Sequence, residues 1–262
     1  MEDNDTQKPI IIKIGGSILK NPNALDSLFS FINKNKQFNW LIVHGGGNVV
    51  DSWLNKMGYI SKKHDGLRIS SKEEMPIIVG ALAGYANKKI MKSAIKFDLR
   101  PIGLSLFEAG INVKQKNDAL KQTGFCDSTS EPLLLTHLTT SGYIPIICSI
   151  GFSQMGEWFN VNADEAATAI AKSTNGKIVF LTDVSGVLDQ HQTLIQKLNE
   201  DKINDLVNKE IIKDGMTVKV KEALKASKVL KDGVYITGWQ ILKNADLSFS
   251  DMNQLGTLVS EF

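Results

Sequence analysis

Short apolar runs alternate with longer amphipathic segments along almost the whole chain. The short runs predict β-strands at Ile10–Ile14, Trp40–His44, Pro101–Leu106, Ile144–Ile150, Lys177–Thr182, Val234–Ile236 and Thr257–Val259. In the longer segments apolar residues recur at helical spacing, which predicts α-helices at Asn23–Lys34, Asn48–Met57, Ser71–Lys96, Ala163–Thr174 and Met216–Lys231. The strand runs lack polar–apolar alternation, as expected for strands that are covered on both faces. The order of the elements therefore predicts an α/β fold, a three-layer αβα sandwich around a mostly parallel central sheet.

Composition excludes several classes of protein. The chain has 262 residues, of which 42% are hydrophobic, enough for a sizeable core. The formal net charge of +2 gives no electrostatic basis for binding nucleic acid. No apolar run approaches the roughly 20 residues that a membrane-spanning helix needs. Cys126 and Cys148 form no recognisable disulfide or metal-binding pattern, so a reduced, cytoplasmic location is expected.

Two of the predicted strands end in glycine-rich loops. Lys13 lies at the end of the first strand and precedes Gly15 and Gly16, and His44 ends the second strand and precedes Gly45–Gly47. A lysine and bare backbone N–H groups at such positions suit phosphate binding. A strand-to-helix turn with a solubilising lysine is the alternative for the first loop, whereas the entropic cost of three glycines favours a functional role for the second. Two such loops indicate a site for two anionic groups, with His44 a hydrogen-bonded structural residue rather than a catalyst.

Further candidates lie in other polar segments. Asn160–Asp164 precedes a predicted helix, so it either caps that helix or binds an amide-bearing ligand. Thr182–Val187 follows an apolar strand and is typical of a nucleotide-binding turn, with a plain turn as the alternative. Arg68 could hold a carboxylate in bidentate fashion, although isolated arginines are more often surface charges, and a helical lysine such as Lys219 usually faces solvent. The polar region Ala109–Thr129 is expected to form a hairpin or loop near the site.

Seven segments, in order along nearly the whole chain, resemble the amino acid kinase family. They are IIIKIGGSIL, LIVHGGGNVVD, GLR, GALAGYANKKI, NVNADEAATAIA, LTDVSGVLD and DGMTVKVKEAL. A single glycine motif would be weak, but seven in register are specific. The P-loop run, the dinucleotide-binding fingerprint and the protein-kinase motifs are absent. The resemblance implies the amino acid kinase fold, one continuous domain with an N-terminal lobe (residues 1–175) for acylglutamate binding and dimerisation and a C-terminal lobe (residues 176–262) for nucleotide binding.

The resemblance also implies a reaction. ATP, with Mg²⁺ carried by the nucleotide rather than by a protein metal site, would donate its γ-phosphoryl group to the side-chain carboxylate of N-acetyl-L-glutamate. The products would be ADP and N-acetyl-L-glutamyl 5-phosphate, on the route to arginine. No general base is expected, because a carboxylate is already ionised at neutral pH.

Site residues follow from the resemblance, position by position. Lys13 and Lys219 would contact the transferring phosphoryl group, and Asp164 would hold both lysines in place. Gly16 and Gly47 complete the expected catalytic set. The acylglutamate would be bound by Gly46, Gly47, Arg68, which would take the α-carboxylate, and Asn160. The nucleotide would be bound by Lys13, Gly15, Gly16, Thr182, Asp183, Val184, Ser185, Gly186, Gly215, Met216 and Lys219.

Two alternatives stay open on the residues. The first is a kinase of the same family that acts on carbamate, aspartate, glutamate or a nucleoside monophosphate; Arg68 together with the NVNAD segment favours acylated glutamate. The second is a ligand-binding sensor without catalysis, against which the retention of Lys13, Asp164 and Lys219 argues. The sequence does not distinguish an acetyl from a succinyl or another small acyl group.

Regulation and assembly are expected from the same resemblance. Arginine-inhibited members of the family carry an extra N-terminal helix, and only Met1–Pro9 precede the first strand here. We therefore expect an arginine-insensitive homodimer. The small residues within Gly80–Ala86 could pack closely against a symmetry mate, or equally against the subunit's own sheet.

Overall fold

A computed structural model describes residues 8–244 and 256–261. Its strands are β1 (Ile10–Ile14), β2 (Trp40–His44), β3 (Lys62–His64), β4 (Leu67–Ile69), β5 (Arg100–Leu104), β6 (Ile111–Gln115), β7 (Thr123–Thr129), β8 (Tyr143–Cys148), β9 (Ile150–Phe152), β10 (Trp158–Val161), β11 (Lys177–Thr182), β12 (Lys197–Leu198), β13 (Val234–Gly238) and β14 (Thr257–Val259). Its α-helices are α1 (Gly16–Lys20), α2 (Pro22–Lys34), α3 (Gly47–Lys56), α4 (Met75–Val79), α5 (Asn87–Ile95), α6 (Leu133–Thr140), α7 (Ala163–Thr174), α8 (Glu200–Asn208), α9 (Asp214–Leu230) and α10 (Trp239–Asn244). A π-helix covers Gly80–Ala86 and a 3₁₀ helix covers Asp118–Leu120. The expectation about the N-terminal segment rests largely on residues 1–7, which lie outside the described residues.

The central sheet is mostly parallel, as the element order predicts. Within the described residues it has eight strands in the order β12-β14-β13-β11-β1-β2-β8-β5. All neighbours are parallel except β13 and β14, which pair in antiparallel fashion. Two smaller sheets, β6-β7-β10-β9 and β3-β4, are separate from the central one. The central sheet includes strands from both predicted lobes, since β1 pairs with β11. The boundary between the lobes at residue 175 stays a prediction.

Helices cover both faces of this sheet. Successive residues of β1 point to opposite sides, so Ile11 packs in one core with α7 and α9, whereas Ile10 and Ile12 pack in another with α2 and α5. These isoleucines are at most 3% exposed. The prediction of a three-layer α/β sandwich is confirmed. None of the described helices is long and apolar enough to cross a membrane.

Two predicted elements differ from the structure at points where polar groups intervene. The helix predicted over Ser71–Lys96 begins later, at α4, after a turn in which Ser71 and Glu74 are linked reciprocally: the Ser71 N–H donates to Glu74 Oε2 (2.7 Å) and the Glu74 N–H to Ser71 Oγ (3.3 Å). The strand predicted over Ile144–Ile150 is divided at Ser149, whose N–H donates to the carbonyl of His44 (3.1 Å). Beyond this residue the chain leaves the central sheet and enters β9.

The polar region Ala109–Thr129 forms the hairpin of β6 and β7, which was one of its two expected forms. A second hairpin, β3–β4, was not predicted. Its turn has positive φ at both Asp65 (49°) and Gly66 (79°), the backbone that an Asp-Gly pair favours in a tight hairpin. This dipeptide was the sequence feature that could have revealed the hairpin.

Candidate active site

The two glycine loops lie side by side because their strands are neighbours. Ile14 at the end of β1 is in register with His44 at the end of β2, and the Gly45 N–H donates to the Ile14 carbonyl (3.4 Å). Helix α3 then begins at Gly47, so its free N–H groups face the same edge of the sheet. Ligands of open α/β sheets bind beyond the carboxyl ends of the strands, and both loops lie there.

A cavity of about 240 Å³ opens at this edge. The predicted site residues that line it are Lys13, Gly15, Gly16, Gly46, Gly47, Arg68, Asn160 and Asp164. Segments separated by more than a hundred residues in sequence are thus brought to one cavity, which contains a lysine, an arginine and a carboxylate. A Cβ on Gly16 would lie 2.8 Å from Asn48 Nδ2, so a larger residue there would require the Asn48 side chain to shift.

Lys13 and Asp164 form an ion pair across the cavity. The Lys13 Nζ lies 2.7 Å from Asp164 Oδ1, with side chains 19% and 22% exposed. Asp164 does not cap its helix, because Asn162 does so: Asn162 Oδ1 accepts from the N–H groups of Asp164 (2.7 Å) and Glu165 (3.4 Å). Asn162 is therefore the residue that caps α7, and the Asp164 carboxylate is available to orient Lys13.

Lys219 lies elsewhere. Its Nζ is 3.2 Å from Asp183 Oδ1, at a more exposed position where the two side chains are 35% and 57% exposed. In the structure Asp164 pairs with Lys13 and Asp183 pairs with Lys219, and the expectation that Asp164 holds both lysines in place stays a prediction. The remaining residues that were expected to bind the nucleotide do not line this cavity. They are Thr182, Asp183, Val184, Ser185, Gly186, Gly215, Met216 and Lys219.

The Thr182–Gly186 segment is a tight turn at the end of β11. The Thr182 hydroxyl donates to the Val184 carbonyl (2.7 Å) and accepts from the Val184 N–H (3.2 Å). Gly186 has a φ of 150°, and a Cβ there would lie 2.5 Å from Leu194 Cδ1. Local hydrogen bonds and packing thus account for the turn, and its role toward a nucleotide stays a prediction.

Arg68 on β4 is buried, with 7% exposure, and is held by groups that the sequence analysis did not pair with it. Its Nη1 lies 2.6 Å from Asp51 Oδ1 and also donates to Ser61 Oγ, and its Nη2 donates to the Gly47 carbonyl (3.2 Å). Burial would raise the pKa of Asp51, but hydrogen bonds from Arg68 and Ser61 and the nearby positive charges outweigh it and lower that pKa. Of the five guanidinium donors, Nε–H and a further Nη2–H have no partner among the described residues and are available to a ligand carboxylate.

Asn160 on β10 is linked to the arginine strand through two buried hydroxyl groups. Its Nδ2 donates to Ser70 Oγ (3.2 Å), and Thr123 Oγ1 contacts the same Ser70 oxygen (3.1 Å). Thr123 also donates to the Arg68 carbonyl. These hydroxyls fix the backbone of β4 against the second sheet and so set where Arg68 enters the cavity.

Comparison with known proteins identifies the family. The sequence profile described as "Amino acid kinase family" matches residues 8–238. The chain belongs to the amino acid kinase family.

Curated relatives of this amino acid kinase carry a more specific name. The acetylglutamate kinase of Actinobacillus succinogenes is 42% identical over 236 residues, which cover 89% of this chain and 92% of the relative. That of Buchnera aphidicola is 38% identical over 255 residues, covering 96% and 98% of the two chains. The similarity thus extends over almost the whole length of both proteins.

Solved structures share the fold of this amino acid kinase at lower identity. The protein smu.665 of Streptococcus mutans superposes with a TM-score of 0.77 at 24% identity and covers 97% of this chain and 98% of its own. N-acetylglutamate synthase of Neisseria gonorrhoeae, in complex with coenzyme A and N-acetyl-glutamate, gives 0.77 at 18% identity, with 97% of this chain and 60% of its own covered. Carbamate kinase of Giardia gives 0.67 at 13% identity, covering 98% and 99%. These likenesses support the amino acid kinase fold.

His44 precedes the second glycine loop of this amino acid kinase. Its surroundings agree with the sequence-based interpretation of a hydrogen-bonded structural residue. It is fully buried; its Nδ1 lies 2.8 Å from the Gly45 carbonyl and its Nε2 lies 3.1 Å from Asn87 Nδ2. Burial, opposed by the hydrogen bond to Gly45, lowers the pKa of His44 to about 4. The ring is therefore neutral at physiological pH.

The side chains of this amino acid kinase do not assemble a metal site in the part of the chain that the structure describes. In residues 8–244 and 256–261, no group of three or more His, Cys, Asp and Glu side chains is placed to hold a metal ion. Both cysteines are free thiols, Cys126 half-buried and Cys148 buried.

Proposed function

We propose that this chain transfers the γ-phosphoryl group of ATP to the side-chain carboxylate of N-acetyl-L-glutamate and so serves arginine biosynthesis. The observation that carries the proposal is the single cavity that holds both Arg68 and the Lys13–Asp164 pair. Such a cavity offers one cation for a carboxylate and another for a phosphoryl group. The relatives named acetylglutamate kinase, about 40% identical over most of the chain, supply the identity of the acceptor.

The acceptor is held by Arg68 and its neighbours. The free guanidinium edge of Arg68 binds the α-carboxylate in bidentate fashion. Asn160, whose amide group lines the same cavity, binds next to it, and the N–H groups of Gly46 and Gly47 face the acceptor at the start of α3. Because the guanidinium is already fixed by Asp51 and Gly47, little ordering entropy is lost when the acceptor binds.

Repulsion between an attacking carboxylate and a polyphosphate is the central problem of the reaction, and positive groups address it. Lys13 is held at the carboxyl end of β1 by Asp164 and contacts the transferring phosphoryl group, with the bare backbone of Gly15 and Gly16 beside it. Positioning and charge neutralisation, rather than proton transfer, do most of the work in phosphoryl transfer. The acceptor carboxylate is already ionised, so His44 has no catalytic task.

The nucleotide binds between the Thr182–Gly186 turn and the start of α9, with Lys219 reaching its phosphates. Gly215 has no heavy atom within 4 Å of the position of an added Cβ, so this turn is open to a ligand. Lys219 must exchange its 3.2 Å contact with Asp183 for the phosphates when ATP binds. Mg²⁺ carried by the nucleotide would neutralise phosphate charge.

An ADP-release assay coupled to NADH oxidation tests the proposed reaction. N-acetyl-L-glutamate is expected to be turned over in preference to carbamate, aspartate, glutamate or a nucleoside monophosphate. Turnover of one of those acceptors instead would favour another kinase of the family, and binding without turnover would favour a sensor. N-succinyl-L-glutamate in the same assay determines the acyl preference.

Arg100 provides a matched control for the assigned acceptor site. Arg68→Ala is expected to raise the KM for the acceptor, whereas Arg100→Ala removes an equal charge outside the cavity, where the arginine stacks 3.9 Å from the Tyr143 ring. An equal effect of the two substitutions would contradict the assignment.

We further propose a cytoplasmic homodimer. Ala81 and Ala86 are used within the subunit, where they are buried, but Gly84 is open and Tyr85 is half-exposed beside a groove of about 580 Å³. This surface is available to a second copy. Light scattering on the purified chain is expected to give twice the monomer mass, and a hexamer would contradict the proposal.

A further inference from the structure

A second cavity, of about 540 Å³, lies between α7, α9 and β7. It is more than twice the volume of the candidate active-site cavity and shares no lining residue with it. Its lining includes Phe125, Ala169, Lys172, Glu222, Lys225 and Ala226. None of these side chains has a part in the proposed reaction.

One wall of this cavity is fixed by Glu165. Its Oε1 accepts from the Cys126 N–H (2.9 Å) and its Oε2 pairs with Lys116 Nζ (3.0 Å). Glu165 therefore holds the β6–β7 hairpin against α7, and its carboxylate is not available to a ligand.

Glu222 differs from the other acidic groups here, because its carboxylate has no partner. It is half-buried on α9, and within the described part of the chain it makes neither an ion pair nor a hydrogen bond. Burial raises the pKa of Glu222, and the positive charge of Lys225 lowers it. The negative charges of Asp164 and Glu165 raise this pKa further, the positive charge of Lys116 lowers it, and the net direction is upward. A carboxylate that is partly desolvated and faces like charges is stabilised by a cation that enters the cavity.

The rest of the cavity limits the kind of cation. Phe125, Ala169 and Ala226 give it apolar walls that suit a hydrocarbon chain. Lys172 and Lys225 are exposed lining residues and have no ion pair among the described residues. Two unpaired lysines disfavour a polycation and favour a ligand with an anionic end.

We propose that this cavity is a binding site for a small zwitterion, a molecule with an ammonium group and a carboxylate at the two ends of a short apolar chain. The ammonium pairs with Glu222, the chain lies against the apolar walls, and the carboxylate points toward Lys172 and Lys225. The site is distinct from the acceptor site, where Arg68 recognises a carboxylate and the acidic groups Asp164 and Asp51 are already paired with Lys13 and Arg68.

The test uses 6-aminohexanoate as the probe, with hexanoate and hexylamine as matched single-charge compounds, and measures Kd by NMR titration of the full chain. Charge-assisted pairing with Glu222 is expected to make 6-aminohexanoate bind about tenfold more tightly than hexanoate. Glu222→Gln is expected to abolish that preference. Glu200→Gln, which removes a carboxylate on α8 outside the cavity, is expected to keep it.

Cys126 lines the cavity and reports on its occupancy, whereas Cys148 is buried and serves as an internal control. Burial raises the pKa of Cys126 to about 12, so alkylation by iodoacetamide is followed at pH 9 by mass spectrometry. The probe is expected to slow the alkylation of Cys126. Equal affinities for 6-aminohexanoate and hexanoate, an unchanged alkylation rate at saturating probe, or wild-type binding by a folded Glu222→Gln variant would each overturn the proposal.

Discussion

The buried histidine before the second glycine loop makes this protein sensitive to acid in a way that can be calculated. The His44 Nδ1 faces the Gly45 carbonyl and must carry a proton, so Nε2 is the acceptor for Asn87 Nδ2. Asn87 cannot turn its amide oxygen toward the ring without losing its hydrogen bond to the Ile146 carbonyl (2.8 Å). A second proton on His44 would therefore place two donors face to face in a fully buried position.

The size of the effect follows from the pKa of His44, which burial lowers from 6.5 to about 4. Between these values the unfolded chain binds a proton that the folded chain does not, so the free energy of unfolding falls as the pH falls. The full difference corresponds to about 3 kcal/mol, of which about 2 kcal/mol is lost by pH 5. Above pH 6.5 the contribution is fully present.

Urea unfolding at pH 7.5 and at pH 5 measures this loss in the wild type and in His44→Asn, which cannot titrate. The variant is expected to be less stable at pH 7.5 but to lose about 2 kcal/mol less than the wild type on going to pH 5. His137→Asn, which changes an exposed histidine on α6, serves as the control and is expected to follow the wild type. Equal pH dependence in wild type and His44→Asn, or an NMR titration of the His44 ring near pH 6.5, would refute the reasoning.

Three further predictions concern the proposed reaction. Lys13→Ala and Lys219→Ala are each expected to lower turnover about 10²–10³-fold, as the loss of one transition-state charge donor does; near-wild-type ADP release by both would contradict their assigned roles. Asp164→Asn is expected to damage turnover and leave the thermal unfolding midpoint nearly unchanged, and a large loss of stability would point to a structural role instead. Asp51→Asn removes the carboxylate 2.6 Å from Arg68 and is expected to raise the KM for the acceptor about tenfold with little change in kcat, as initial rates would measure. An unchanged KM would mean that Asp51 does not position Arg68.

The sequence by itself determined the architecture, because strand and helix periodicity and the order of elements are local properties. The apolar runs at Ile10–Ile14 and Lys177–Thr182 became neighbouring parallel strands, and the glycines after β1 and β2 marked the edge of the sheet where the cavity lies. The predicted element boundaries were less exact: the helix predicted from Ser71 begins at Met75, after a turn in which Ser71 and Glu74 are hydrogen-bonded to each other.

Tertiary structure alone decided which side chains meet. Motif resemblance assigned Asp164 to both lysines, whereas in the structure Asp164 contacts Lys13 and Asp183 contacts Lys219. These pairs depend on how α9 packs against α7 and β13 rather than on local sequence. Asp51 ends the LIVHGGGNVVD segment, but its pairing with Arg68 became visible only when the β3–β4 hairpin brought Arg68 onto α3. Patterns along the chain report local conformation, whereas ion pairs between distant segments depend on packing that no single segment encodes.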